Sequence, residues 1–184
     1  MKLYRDLIVP MTLRASGIRD IAQVLGISPN TVLTHLRRAG DQTPEPRVPS
    51  HIKDLEMDEL WSFIGCKKQQ CWLWLARNRC TGRIVAFVLG RRTDHSCQLL
   101  CHKLAACQVQ NVFTDDWQSY SKCLDAATHR VGKSGTQGIE RCNLNFRTHI
   151  KRLQRRTICF SRSPQMHEAV LKLYIHHLNS HPHF

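Results

Sequence analysis

The stretch CWLWLARNRCTGRIVAFVL, residues 71–89, decides the fold because it contains two apolar runs of strand length around a polar turn. The runs are Cys71–Ala76 and Arg83–Leu89, and their Trp, Ile, Val and Phe residues are typical of β-strands. The turn between them, RNRCTG, is too short for a crossover connection, so the two strands are expected to form part of a meander.

Elements predicted on both sides of this stretch complete a mixed α/β sheet. Leu55–Ile64 is a strand in front of it, and Thr93 or Asp94 can cap a helix that runs to about Ala106. The remaining elements are a strand at Val109–Phe113, a helix at Trp117–Ala126, a short fifth strand at Thr128–Val131 and a helix that begins near Gln137–Ile139. Three meandering strands followed by alternating helices and strands predict an α/β fold with helices covering the sheet. Ribonuclease-H-like folds have this order, although the order alone does not establish a function.

The N-terminal region has the pattern of a helix-turn-helix. In GIRDIAQVLGISPNTVLTHLRR, residues 17–38, an apolar-periodic helix stops at Gly26, which permits the positive backbone angle that the turn needs. Ser28 then offers an N-cap, with Pro29 at the first helical position. A second helix is predicted over Asn30–Arg38, so two short helices meet at a glycine-containing turn.

The second helix of this motif is expected to read DNA in the major groove. Residues 3–16 supply a further helix that supports it, and Pro10 can break that helix. A plain helical hairpin that only packs is the alternative, but the combined spacing favours DNA binding. The predicted contacts to base edges are Ser28, Asn30, Thr31, Thr34 and His35, and the predicted contacts to phosphates are Arg37 and Arg38.

Prolines separate this module from the rest of the chain. GDQTPEPRVPSHIK, residues 40–53, has three prolines within 44–49, a density that excludes a helix or a central strand. The sequence therefore predicts a helix-turn-helix module at 1–40, a semi-rigid linker at 41–53 and a ribonuclease-H-like domain at 54–184.

The charge of the chain favours a polyanionic partner. Its 184 residues include 27 Lys and Arg against 14 Asp and Glu, a formal net charge of +13. The excess is largest in residues 139–184, which carry 8 basic and 2 acidic groups. Basic surfaces bind nucleic acid by neutralising phosphates and releasing counterions. No apolar run reaches the roughly 18 residues of a membrane helix and the N-terminus lacks the pattern of a signal peptide, so we expect a soluble intracellular protein.

Because the chain is so basic, the positions of its acids are informative. Asp58 and Glu59 lie inside the predicted strand LEMDELWSFIG, where a buried charge is costly unless it is paired or bound to metal. An edge strand with solvated carboxylates is the alternative. Alternation puts one acid on each face of the strand, so the pattern does not choose between Asp58 and Glu59.

Asp115 and Asp116 follow directly on an apolar strand in VFTDDWQSY, at the strand end where α/β sheets bind ligands. Asp116 is well placed to cap the helix beginning at Trp117, which leaves Asp115 as the candidate ligand.

A third acid lies at the start of a basic helix, IERCNLNFRTHIKRLQRR, residues 139–156. Glu140 is in its first turn, where the helix dipole favours an anion. The alternative role for Glu140 is a carboxylate paired with Arg141 or Lys133. The apolar stripe of this segment is Ile139, Cys142, Phe146, Ile150 and Leu153, and the neighbouring polar stripe is Glu140, Asn143, Arg147 and Lys151.

Three acids that arrive from two strands and a helix would repel one another in one cleft, and divalent cations relieve that repulsion. Carboxylate ligands suit Mg²⁺ or Mn²⁺. Two such ions, about 3.5–4 Å apart, activate a water or a DNA 3′-hydroxyl and stabilise the leaving oxygen of an in-line phosphoryl transfer. The groups expected to hold the DNA backbone beside Glu140 are Arg141, Asn143, Arg147, Lys151, Arg155 and Arg156.

Three stretches resemble the insertion sequence one family of bacterial transposases: MDELWSFIG, TDDWQSY and IERCNLNFRTHIKRLQRRTICFSRS. They fall at the family's spacing, with 24 residues between Asp115 and Glu140. The likeness covers roughly residues 12–178, including the helix-turn-helix. Its last motif is long and specific, whereas the first two are weak alone.

The resemblance implies a ribonuclease-H-like catalytic domain with an Asp-Asp-Glu triad that cuts transposon ends and joins them to target DNA. Matched by position, the triad is Asp58, Asp115 and Glu140, so the resemblance selects Asp58 over Glu59. Arg147 matches a basic residue that contacts DNA near the scissile phosphate. The implied cofactors are two Mg²⁺ or Mn²⁺ ions. The implied partners are terminal inverted repeats, target DNA and further copies of the chain, in the nucleoid of a bacterial cytoplasm.

The sequence departs from the family pattern at two places. Family members usually carry a Cys-rich zinc-binding segment ahead of the helix-turn-helix, and this sequence has none there. Asp116 stands where the family pattern has Gly. A catalytically inactive or truncated transposase that acts as a helix-turn-helix DNA-binding regulator is therefore the alternative function. A ribonuclease-H-like repair nuclease is disfavoured by the helix-turn-helix and by the long match around Glu140.

Overall fold

The computed structural model describes residues 2–132 and 135–181. Its contacts group the chain into two compact units, which we call the helical unit and the sheet unit. The helical unit comprises Met1–Pro44, Phe63–Gln69 and Leu144–His177, and the sheet unit comprises Glu45–Ser62, Gln70–Asn143 and Leu178–Phe184. The domain boundaries drawn from the sequence at 40 and 53 stay a prediction.

The helix-turn-helix elements are confirmed in the helical unit. The three helices are α1 at Lys2–Thr12, α2 at Ile18–Leu25 and α3 at Pro29–Gln42. Gly26 has a φ of 64° in the turn, and the Ser28 hydroxyl accepts a hydrogen bond from the backbone N–H of Thr31 at 3.0 Å. The third helix is longer than the predicted Asn30–Arg38. Pro10 lies inside α1 without ending it.

The C-terminal helix packs against α3 within the same unit. This helix, α7, spans Pro164–Ser180. Gly40 of α3 is buried against Ala169 of α7. A methyl group built at Gly40 would lie 2.5 Å from the Ala169 Cβ and 2.7 Å from its Cα, so only glycine allows the two helices to approach this closely.

A buried polar cluster lies beside α7. Arg152 donates hydrogen bonds to the Ser161 hydroxyl at 3.2 Å and to the Met166 carbonyl at 2.9 Å. The Ser161 hydroxyl also lies 2.7 Å from Nδ1 of His167. Burial, reinforced by the positive charge of Arg152, lowers the pKa of His167 to about 3. The imidazole is therefore neutral in the folded chain at any pH above that value.

Acid is expected to destabilise the helical unit through His167. The imidazole titrates near 6.5 when unfolded and near 3 when folded, so the unfolded chain takes up the proton first. The stabilisation is complete above pH 6.5 and falls as the pH drops from 6.5 towards 3, by about 2 kcal/mol at pH 5. Hydrogen exchange of the α7 amides at pH 7 and pH 5 measures this loss. A His167→Asn variant, which keeps a side-chain partner for Ser161, should lose much less protection between the two pH values. An equal loss in both proteins would show that His167 is not the group that makes the unit sensitive to acid.

The sheet unit contains a five-stranded mixed sheet. Its strands are β1 at His51–Phe63, β2 at Gln70–Asn78, β3 at Ile84–Gly90, β4 at Gln108–Thr114 and β5 at His129–Val131. Their order is β3-β2-β1-β4-β5, with β2 and β3 antiparallel and with β1, β4 and β5 running parallel. This order confirms the predicted α/β, ribonuclease-H-like fold. Because β1 lies between β2 and β4, the edge-strand alternative for its two acids is wrong.

Two helices belong wholly to the sheet unit, α4 at Asp94–Lys103 and α5 at Gln118–Cys123. The Thr93 hydroxyl accepts from the backbone N–H of Ser96 and caps α4, as one of the two predicted caps. Both helices end earlier than predicted. The core between the sheet and these helices includes Leu55, Met57, Trp74, Leu100 and Tyr120. No helix within the described ranges is long and apolar enough to cross a membrane.

Candidate active site

Two of the predicted acids lie near one another, one inside β1 and the other directly after β4. β1 pairs with β4 so that Glu56 is opposite Phe113. Asp58 lies two residues further along β1, and Asp115 is two residues after Phe113, just beyond the end of β4. Adjacent strands are about 4.8 Å apart, so the end of β4 brings Asp115 near Asp58. The negative charge of Asp115 acts on Asp58 across this gap.

Asp58 is held by two hydrogen bonds in a largely desolvated position. Its Oδ1 accepts from the backbone N–H of Glu59 at 2.8 Å, and its Oδ2 accepts from the Asn143 amide at 2.6 Å. Burial raises the pKa of Asp58 to about 7, and the charges of Glu59 and Asp115 add to that rise, whereas the two hydrogen bonds oppose it. The site therefore presents a fixed carboxylate in an environment that disfavours its negative charge.

Glu59, the other acid considered on β1, has a different environment. Its carboxylate forms an ion pair with Arg92 at 2.6 Å and accepts from the Tyr120 hydroxyl at 2.7 Å. The pKa of Glu59 is raised by burial, although Tyr120 and Arg92 both oppose the rise. Both of its oxygens have partners, so Glu59 serves the packing of the sheet unit; the choice of Asp58 as the catalytic acid stays a prediction.

Arg92 lies in an aromatic stack that sequence reasoning missed. Its guanidinium is 5.0 Å from the ring centroid of Trp72 and 4.4 Å from that of Trp117, distances at which cations are attracted to ring faces. Trp117 follows Asp115 by two residues, so the stack fixes the chain immediately after the acid. The available signal was indirect: a carboxylate buried inside a central strand, as Glu59 is, requires a counter-charge.

The predicted helix cap at Asp116 is wrong. The helix α5 begins at Gln118, one residue later than predicted. Asp115 Oδ1 instead accepts from the backbone N–H of Trp117 at 3.2 Å, because an aspartate satisfies the amide two residues ahead of it in a turn. Asp116 is exposed. Asp115 is therefore both the acid beside Asp58 and the residue that shapes the turn into α5.

The third predicted acid is close in the fold but does not join the pair. The helix α6 spans Gln137–His149, with Glu140 in its first turn as predicted. Glu140 accepts a hydrogen bond from the Thr136 hydroxyl at 3.0 Å. Across the residues that the structure describes, no three His, Cys, Asp or Glu side chains are gathered closely enough to hold a metal ion. Lys133, an alternative partner of Glu140, lies outside the described residues.

Asn143 adds an unassigned oxygen to the site. It lies three residues after Glu140 on α6, so the two side chains are neighbours on the helix surface. Asn143 is buried, and its Oδ1 has no hydrogen-bond partner within the described part of the chain. A buried oxygen without a partner is costly. The donor set of Asp58, Asp115, Asn143 and Glu140 is entirely oxygen, which fits a hard divalent cation.

Comparison with known proteins identifies the family. The model of the family described as IS1 transposase matches residues 52–181, and a model described as an HTH DNA binding domain matches residues 12–43. The chain belongs to the IS1 transposase family.

Curated relatives of this transposase are insertion-element proteins from enteric bacteria. It is 48% identical over 120 residues to the insertion element iso-IS1n protein InsB of Shigella dysenteriae, covering 65% of this chain and 92% of that protein. It is 40% identical over 120 residues to the insertion element IS1 protein InsB of Shigella flexneri, with the same two coverages. It is 38% identical over 150 residues to the insertion element IS1 9 protein InsB of Escherichia coli (strain K12), covering 80% of this chain and 90% of that protein.

Among solved structures, a chain from the simian T-cell lymphotropic virus intasome in complex with the PP2A regulatory subunit B56 gamma aligns with this transposase. The TM-score is 0.41 and the identity 17%, covering 70% of this chain and 54% of that chain. A likeness at this level adds nothing to what the strand order and the family establish.

The predicted DNA-binding residues of the transposase differ in exposure. Those that are exposed are Ser28, Asn30, Thr34, Arg37, Arg38, Arg141, Arg155 and Arg156, and those that are half-buried are Thr31, His35, Arg147 and Lys151. Arg147 donates a hydrogen bond to the Leu153 carbonyl at 3.1 Å, and burial together with the charge of Arg155 lowers its pKa. Asn143 is occupied with Asp58. The role of each in DNA binding stays a prediction.

Proposed function

We propose that this transposase cuts the ends of its element and joins them to target DNA, with Asp58, Asp115 and Glu140 as the carboxylates that hold two Mg²⁺ or Mn²⁺ ions. The observation that carries the proposal is the electrostatic effect of Asp115, directly after β4, on the half-buried Asp58 of the neighbouring strand β1. The oxygen donors around this pair suit hard divalent cations. Family membership indicates the class of reaction, DNA transposition. Transposases of this type generally use such ions.

Glu140 completes the set by a side-chain rotation. The Asn143 amide bonds Asp58 directly, and Glu140 is one helical turn before Asn143 on the adjoining surface of α6. In the proposed metal-bound state, the carboxylate of Glu140, which is exposed, exchanges its hydrogen bond to Thr136 for a position beside the acid pair.

The protein's own groups orient the carboxylates before DNA arrives. Asp58 is fixed by Asn143 and by a backbone N–H, and Asp115 is fixed by the backbone N–H of Trp117. When bound, divalent ions activate a water or a DNA 3′-hydroxyl and stabilise the leaving oxygen. Fixed ligands favour this chemistry because little reorganisation is needed during the reaction.

The basic groups of the chain position the DNA. The exposed side chains of α3 read the terminal inverted repeats, and the cations that follow Glu140 hold phosphates of the DNA. Two element ends must be joined to one target, so the active form is an assembly of several copies on DNA in the nucleoid. A regulator that binds DNA without cutting it is the second candidate, which the separation of Glu140 from the acid pair favours.

The test is a cleavage assay on the element's own ends. The purified chain is incubated with duplexes that carry the inverted repeats flanking its gene, in Mg²⁺, in Mn²⁺ and in EDTA. We expect nicking at the repeat boundary with either cation and none with EDTA, accompanied by a footprint over the repeat. A footprint without nicking in either metal would establish the regulator and overturn the transposition proposal.

Substitutions in α3 should separate base recognition from phosphate binding. Arg37→Ala is expected to weaken binding to repeat and unrelated duplexes alike, and to reduce the slope of log K against log salt by about 1. Asn30→Ala is expected to weaken binding to the repeat alone by about 1–3 kcal/mol. Fluorescence anisotropy across a salt series measures both effects. Arg19→Ala, which removes an exposed charge on α2, is the control. If all three variants bind DNA with the same affinity and the same salt dependence, α3 does not have the predicted role in DNA recognition.

A further inference from the structure

Glu56 is a buried carboxylate that the proposed chemistry does not use. It lies two residues before Asp58 on β1, is 1% exposed, and forms an ion pair with Arg77 of β2 at 2.5 Å. Its other oxygen accepts from the backbone N–H of Gly138 at 3.3 Å. Gly138 is in the first turn of α6, where backbone N–H groups have no partner within the helix. The ion pair therefore binds the amino-terminal end of the helix that carries Glu140.

The contact at Gly138 leaves no room for a side chain. A Cβ built at Gly138 would collide with the Arg77 guanidinium and would lie 2.7 Å from Glu56 Oε2. Both of these groups are held by their mutual ion pair, so neither can withdraw without breaking it. The backbone of the first turn of α6 consequently rests directly on the ion pair.

A second contact fixes α6 further along the same strand, where Asn143 bonds Asp58. The two attachment points are two residues apart on β1, about 6.6 Å, and five residues apart on α6, about 7.5 Å. Because the two spacings are nearly equal, the two hydrogen bonds hold α6 alongside β1. Glu140 lies between the two attachment points in sequence, so its position relative to the acid pair depends on both of them.

We propose that Glu56 and Arg77 are positioning residues that hold the first turn of α6 so that Glu140 is in register with Asp58 and Asp115. This inference rests on the proposed function. The negative charge of Glu56 suits the amino end of the helix, and Arg77 neutralises that charge where burial would otherwise make it costly. Neither side chain contacts DNA or a metal ion; both act through the placement of Glu140.

The test measures Mn²⁺ binding to the whole chain by electron paramagnetic resonance, without DNA. Two variants disturb the contact while keeping all three proposed ligands: Glu56→Ala removes the acceptor, and Gly138→Ala displaces the first turn of the helix. Each is expected to raise the Kd for Mn²⁺ about 10–100-fold, as loss of a supporting contact around a metal site does. If Glu56→Ala does not fold, Gly138→Ala alone decides the question.

Two further variants separate positioning from loss of stability. Val85→Ala truncates a buried side chain of β3 and should lower the melting temperature while leaving the Kd for Mn²⁺ unchanged. The double variant Glu56→Gln/Arg77→Met keeps an oxygen for the Gly138 N–H and leaves no buried charge unpaired, so it should restore a Kd near that of the wild type.

The outcomes distinguish the inference from the function on which it rests. A wild-type chain that binds no Mn²⁺ would overturn both. Wild-type binding that Glu56→Ala and Gly138→Ala leave unchanged would overturn the positioning role alone. A Val85→Ala chain that loses affinity to the same degree as Gly138→Ala would also overturn it, because the effect would then follow stability and not the placement of Glu140.

Discussion

Asp58→Asn and Asp115→Asn are each expected to reduce cleavage of element ends about a thousand-fold or more, while binding to the same DNA stays within about two-fold. Asparagine has nearly the shape of aspartate but lacks the negative charge that a divalent cation requires. Asp58 lies in β1 and Asp115 directly follows the neighbouring strand β4, and the two act on one another electrostatically, so they should fail as a unit. The double variant should be little worse than either single variant. Nicking rates at saturating Mg²⁺, with anisotropy for binding, measure both effects.

The matched control is Asp116→Asn, because Asp116 is the exposed neighbour of Asp115 in the same turn. It undergoes the same chemical change one residue away and should nick at close to the wild-type rate. Glu140→Gln should behave like the variants of the acid pair. Asp115→Asn chains that nick at the wild-type rate would show that the acid pair is not the catalytic centre, and an equal loss in Asp116→Asn would assign the effect to the turn.

Gly40→Leu is expected to destabilise the helical unit by about 3 kcal/mol or more. A single methyl group at Gly40 already lies within 2.7 Å of the Ala169 Cα, and that atom belongs to the backbone of α7, which cannot rotate away. The two helices must therefore separate, and α3 loses its support. Because α3 is the predicted DNA-reading helix, binding to the inverted repeat should fall together with stability. Urea unfolding followed by circular dichroism measures the first effect and footprinting the second.

Asp41→Leu places the same side chain on the next residue of α3, where the position is exposed. It should unfold near the wild-type urea concentration, since leucine also favours a helix more than aspartate does. If Gly40→Leu and Asp41→Leu unfold at the same urea concentration, the close packing of α3 on α7 does not stabilise the unit.

The sequence was informative about the sheet because the strands of this chain are apolar runs separated by clear turns. Cys71–Ala76 and Arg83–Leu89 lie within one or two residues of the observed strands, and the periodic apolar stripe after Ile139 is buried as predicted. The cap at Ser28 and the turn at Gly26 follow from local chemistry, which acts over four residues and needs no knowledge of the rest of the fold. These features were therefore predictable.

The partners of the acids could not be predicted in the same way. Alternation along β1 gave Asp58 and Glu59 equal claims, and the long-range contacts of Glu59 with Arg92 and Tyr120 show how its environment differs from that of Asp58. Those partners are 33 and 61 residues away in the chain, and no periodic pattern encodes such pairs. The error at Asp116 had a local cause, because α5 begins one residue later than its apolar pattern indicated and the carboxylate that bonds the turn before it is that of Asp115.

The pairing of β1 with β4 also determines where this chain can gain or lose residues during evolution. Side chains alternate between the two faces of a strand, so a single deletion between Glu56 and Asp58 would turn that aspartate to the opposite side of the sheet. Insertions of any length in the β1–β2 hairpin leave this alternation intact. Among related insertion elements, length differences should therefore accumulate in the hairpin, while the interval leading to each acid keeps a constant number of residues.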